Sequence, residues 1–156
     1  MKKVIIGFIL GAVTVAFVGW NMMPNTMLKE AKSPYSIEET VAKIKANAEA
    51  KGWVIPSVQP LHKSIKKHSG GKHIIPPVML VNLCNAEHAY NTLVKDQNKK
   101  VSVFMPCTIS VFEKNDSTVW VAYMNAKLLG DMFGGDVAKA MVEVDADQRD
   151  FIKFVK

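Results

Sequence analysis

Two cysteines carry most of the chemistry this sequence could offer: Cys84 in VNLCNAEHAY and Cys107 in VFMPCTISVFEK. Cys84 ends an apolar run and precedes Asn85, a residue type that starts helices. A thiol beside the first turn of a helix lies at the positive end of its dipole, which favours thiolate. Cys107 follows Pro106, which cannot donate to a β-ladder and marks an edge or a bulge. Three readings of the pair stand side by side. In an oxidising compartment the two sulfurs form one structural disulfide. As small apolar side chains they are two unpaired core thiols. As a functional pair they form a redox site, with Cys84 as nucleophile and Cys107 resolving, or part of a ligand or metal site. Met105 lies two residues before Cys107, on the same face of an unbulged strand. His88 lies four residues after Cys84 and can turn back toward it. Soft ligands of this kind suit copper, and haem ligation is the other metal option. The specificity of a paired CxxC is missing, and so is a CxxCH haem-attachment signature.

Other chemistry-bearing residues read more plainly. His62, His68 and His73 fit no standard zinc spacing and read as surface histidines. Glu38 and Glu39 belong to a helix start. The sequence has no GxSxG, P-loop or GxGxxG motif. The net charge of +6 is almost entirely lysine, with Arg149 the single arginine. That composition counts against nucleic-acid recognition, which favours the guanidinium fork. The positive charge gathers in residues 51–73, where Lys51, Lys63, Lys66, Lys67 and Lys72 meet no acidic residue. This reads as a solvated basic face, or as one that meets anionic lipid or an acidic partner. The acidic tail, Asp136 to Asp150, reads as a solvated helix face.

The elements that must position the cysteines follow from patterning. Residues 27–33 read as a first edge strand. Ser36 and Glu39 form a capping box for a helix with Ile37, Val41, Ile44 and Ala48 on its apolar face and Gly52 at its stop. Residues 53–58 read as an edge strand because of Pro56. Residues 61–68 read as a short basic helical turn. Residues 74–84 become a strand after a double proline. A helix then runs from Asn85 to about Asp96, with Ala89, Leu93 and Tyr90 inward. Residues 101–114 and 118–125 alternate as two strands joined by a hairpin turn at 115–117. A helix over 126–133 stops at Gly134–Gly135, and a last helix runs to about Val155 with Val137, Met141 and Val144 inward. The order predicts an α+β fold, a mainly antiparallel sheet with helices packed on one face.

Residues 1–26 read separately. Val4–Trp20 is seventeen residues without a charge, following Lys2 and Lys3. As a helix it would be about 25 Å long, and with its uncharged flank it covers a bilayer core. The expectation is an uncleaved single-pass anchor in a bacterial inner membrane. A cleaved signal peptide and a buried soluble helix are the alternatives. The positive-inside rule places the N-terminus in the cytoplasm and residues 27–156 in the periplasm or outside the cell.

The segments SIEETVAKIKANAEAKGW, VMLVNLCNAEHAYNTLVKD, VSVFMPCTISVFEKND and TVWVAYMNAKLL resemble, in order, the domain of unknown function family 302 (DUF302). The resemblance covers about residues 27–155. Cys84 and Asn85 match the family's Cys-Asn-Pro element, with Ala86 in place of proline. Pro106 and Cys107 match its Leu-Pro-Cys element, with Met105 in place of leucine. The resemblance implies an α+β domain and names no reaction. It raises the weight of the two thiols acting jointly. The expected function is a non-catalytic ligand-, metal- or redox-associated binding module built on the Cys84/Cys107 region. The alternatives are a thiol-dependent redox or sulfur-handling enzyme, and an interaction protein using the basic 51–73 face.

Overall fold

The computed structural model describes residues 25–155; the apolar segment Val4–Trp20, with the expected anchor, lies outside them. Among the described residues no helix is long and apolar enough to cross a membrane. Five strands form one sheet: β1 (Leu28–Lys32), β2 (Val54–Pro60), β3 (Val78–Cys84), β4 (Cys107–Glu113) and β5 (Val119–Met124). Their order is β1-β5-β4-β3-β2, and every pairing is antiparallel. The α+β expectation holds, and β1 and β2 are the two edges. Pro56 falls where β2 slips its register against β3, between Val54 and Ser57, so its missing donor costs no ladder bond in the middle of the sheet.

One face of the sheet is the core face. Val81, Leu83, Ile109, Val111 and Val121 alternate along their strands and are all buried. Helices α1 (Ile37–Glu49) and α5 (Gly135–Phe151) close over them with Ile44, Ala48, Met141, Val144 and Phe151. Fully burying a side chain of this kind stabilises the fold by about 1.5–3 kcal/mol. The capping box of α1 is formed, with the Glu39 backbone N–H donating to Ser36 and the Ser36 backbone N–H donating back to Glu39, both at 3.2 Å. Helix α4 (Ala126–Phe133) packs on α5 through Gly130, where an added Cβ would lie 2.6 Å from the Met141 Cβ. Only glycine lets the two helices approach this closely.

Several local expectations are corrected, among them the last helix, which ends at Phe151 rather than near Val155. Helix α3 (Ala86–Leu93) ends before Asp96, and Tyr90 is 67% exposed rather than inward. Ala89 and Leu93 carry its inner stripe, and Tyr90 lies one residue, about 100°, away from Ala89. Residues Asp96–Phe104 form a 3-10 helix instead of the start of a strand. The alternation of Val101 and Val103 imitates a strand, but only Val101 is buried and pairing begins after Pro106. Cys107 is therefore the first residue of a central strand, not a mid-strand position on an edge. The acidic tail is not wholly a solvated face, because Asp145 is only 1% exposed. It pairs with Arg149, and Lys29 of β1 lies 3.8 Å away, which ties the first strand to the last helix.

The basic stretch is also divided by the fold. Helix α2 (Leu61–His68) begins where β2 ends, at the end of the sheet opposite the cysteines. His62 Nδ1 secures it there, 3.0 Å from the Val78 carbonyl and 3.2 Å from the Val78 amide: it donates to the carbonyl as the Nδ1–H tautomer and accepts from the amide as the Nε2–H tautomer. Lys51 stands at the cysteine end and pairs with Asp147 and Asp150.

Candidate functional site

A cavity of about 390 Å³ opens at the cysteine end, between the sheet and helices α3 and α5. Its floor is the end of β3 and the start of β4, with Leu83, Cys84 and Cys107. Its walls are Ala89 and Leu93 from α3, Met141 and Val144 from α5, Trp53 and Pro56 from the β2 edge, and Met105 and Pro106 from the turn into β4. The lining is almost wholly apolar. Its polar atoms belong mainly to Asn85, His88 and Thr92, and Thr92 spends its hydroxyl on the His88 carbonyl at 2.7 Å.

The fold brings all six sequence candidates to this one place: Cys84, Asn85, His88, Met105, Pro106 and Cys107 all line the cavity. They play different parts there, and Asn85 has the helix-starting part expected of it. Asn85 is the N-cap of α3; its side-chain oxygen accepts from the backbone amides of Glu87 at 3.0 Å and His88 at 3.2 Å. It positions His88 by fixing the start of the helix. Pro106, joined to Met105 by a cis peptide bond, forms an exposed rim. Cys84 and Cys107 are free thiols. Cys107 lies opposite Leu83 in the β3–β4 pairing, so the cysteines are offset by one residue. A cross-strand disulfide needs two facing Cβ atoms, and this register does not supply them. Burial pushes the Cys107 thiol up to about 11, with a further upward push from Cys84. It is a neutral thiol at neutral pH, a poor nucleophile and a poor anionic ligand.

His88 is held at the cavity wall by residues distant in sequence. Its Nδ1 lies 3.3 Å from Glu143 and its Nε2 3.9 Å from Asp147. Asp147 also accepts from the Trp53 indole at 2.9 Å and from Lys51 at 2.8 Å. The Trp53 ring packs on His88 at 5.7 Å and edge-on against Phe151 at 5.3 Å. His88 is thus engaged with carboxylates and an aromatic ring rather than with the sulfurs. Among the described residues no three His, Cys, Asp or Glu side chains converge as metal ligands. Sequence reasoning missed Trp53, Met141, Val144, Glu143 and Asp147. Trp53, directly after the Gly52 helix stop, offered the one local signal: a large aromatic with a polar N–H where the chain turns into the sheet. The other four belong to α5 and reach the site only through tertiary packing.

The comparisons bear on the family and the fold. The model of the family described as "Domain of unknown function DUF302" matches residues 29–155, a span that includes both cysteine elements. The crystal structure of an uncharacterized conserved DUF302 protein from Bacillus stearothermophilus is similar, with a TM-score of 0.71. Its sequence is 15% identical, and the match covers 83% of this chain and 98% of that one, a likeness of fold. No curated protein matches the chain. The family match over nearly the whole described region and the shared fold lead to one assignment: the chain belongs to the DUF302 family.

Proposed function

We propose that this chain is a membrane-anchored, extracytoplasmic binding domain, and that the cavity beside Cys84 and Cys107 holds a small, largely apolar ligand without transforming it. The observation that carries this reading is the cavity itself: about 390 Å³, apolar, and lined by both cysteine elements of the sequence, Cys84–Asn85 and Pro106–Cys107. Concave apolar space with a few convergent polar groups is the usual form of a small-molecule site. His88, oriented by Asn85, Glu143 and Asp147, supplies the polar edge that would fix a ligand's orientation. The neutral Cys107 thiol counts against the resolving role in a thiol-redox reaction and so supports binding. The uncharged Val4–Trp20 segment behind Lys2 and Lys3 supports the anchor and the outward orientation.

The test is recovery of a bound molecule. Full-length chain purified in lipid nanodiscs is extracted with organic solvent, and small molecules enriched over empty nanodiscs are identified by mass spectrometry. Ala89→Phe, which fills the cavity from α3, is expected to lose the enriched species while keeping the wild-type circular dichroism spectrum. Equal recovery from both proteins, or no enrichment from wild type, overturns the reading.

A further inference from the structure

The position where the chain joins the fold constrains how the domain sits. Asn125 holds the approach to β1 at two points: its side chain donates to the Thr26 carbonyl at 2.9 Å and its backbone amide to the Met27 carbonyl at 2.8 Å. Only Asn21–Asn25 separate Thr26 from Trp20, the last residue of the apolar stretch expected to span the bilayer. Fully extended, that linker reaches roughly 20 Å. Leu28 therefore stays close to the bilayer if Val4–Trp20 spans it. For the opposite end of the sheet to face the lipid, the linker would also have to run the length of a seven-residue strand, about 23 Å.

The surface around Leu28 suits that closeness. Leu28, Val103, Phe104, Pro106 and Met124 line one shallow apolar groove. Leu28 is 61% exposed and Val103 77% exposed, and Phe104 continues the apolar surface to Phe133 through a ring contact at 6.2 Å. Lys99 and Lys100 are exposed in the same 3-10 helix as Val103, with Lys99 paired to Asp96. An apolar patch with lysines beside it matches the interface between acyl chains and anionic headgroups.

We propose that the Leu28–Val103–Phe104–Met124 groove is a membrane-docking surface, seated on the bilayer that the N-terminal segment spans. This rests on the anchor reading above. Seating buries Val103 and Leu28 in the headgroup region and leaves the loop after α2 in water. Ile74 in that loop is 73% exposed and equally apolar, so it serves as the control for mere hydrophobicity.

The experiment places a photoreactive benzophenone side chain at Val103 or at Ile74 in the full chain. Each variant is reconstituted in vesicles of phosphatidylcholine with a minority of phosphatidylglycerol carrying an alkyne-tagged acyl chain. The Val103 probe is expected to label lipid several-fold more than the Ile74 probe. Equal lipid labelling at the two positions, or a Val103 probe that captures a second copy of the chain instead, overturns the docking surface. Flotation of the unsubstituted chain with the vesicles after alkaline carbonate washing reads the anchor alone. A chain that does not float overturns the anchor and the seating together. A chain that floats while Val103 stays unlabelled overturns only the seating.

Discussion

The two ends of this sheet are built from the same five strands, yet they are different materials. At the cysteine end, helices α3 and α5 and the 3-10 helix close around Trp53, Leu83 and Cys107. Lysine and carboxylate meet there in pairs, as in Lys51 with Asp147. At the basic end, helix α2 buries no residue and is followed by Gly70 and Gly71, whose φ values of 61° and 82° need glycine. Its lysines have water around them. The two ends thus differ in what surrounds their lysines, and charge density along the chain does not find the site. The helices that arrive from elsewhere in the sequence do.

Unequal consequences of mutation are the sharpest way to break this contrast. Trp53→Ala removes a buried ring and its bond to Asp147 at the cysteine end, and a loss of about 3–5 kcal/mol is expected in urea denaturation. Ile65→Ala, on the inner side of α2, is expected to cost within about 1 kcal/mol by the same measurement. Comparable losses would mean that the basic end is as integral as the other.

A pH titration separates the ends more finely. The Cys107 thiol is raised from 9.0 to about 11, so the folded state holds its proton after the unfolded state has released it. The resulting stability is complete below about pH 9 and is lost as pH rises toward 11, about 2–3 kcal/mol in all. Tyr123 is also raised, by burial and then by Asp145, so the comparison must be made against Cys107→Ala. The difference between the two denaturation curves is expected to shrink across that window. A constant difference would show that Cys107 is not held in an apolar environment. The smallest effect is expected at the other end. Changing Lys63, Lys66 and Lys67 together to alanine is expected to leave stability within about 0.5 kcal/mol per substitution and vesicle flotation unchanged.

Much of the fold was legible because its signals are local. Ser36 and Glu39 announce their helix, Pro56 its edge strand, and the alternation from Val119 to Tyr123 its sheet faces. The candidate cluster was legible in part for the same reason: Cys84–Asn85 and Pro106–Cys107 each sit at an element boundary, and boundaries at one end of a sheet meet. What was not legible depends on partners far along the chain. Asp145 and Asp147 look like neighbours of Glu143 on one polar surface, but helix α5 turns Asp145 inward and Asp147 toward Trp53. Val101 and Val103 carry the period of a strand, and nothing local shows that only the first has a core to enter. The offset of Cys107 against Leu83 is a matter of register, which the pairing of whole strands decides.

Gly130 gives the cavity a control that lies outside it. The glycine does not line the cavity; it lets α4 lie against α5 at Met141, and Met141 is one of the cavity walls. Any side chain at position 130 must push that methionine forward or lift the helix away. The capacity of the pocket is therefore set partly from behind. A change at the helix crossing can alter the volume of the cavity with every other lining residue left as it is.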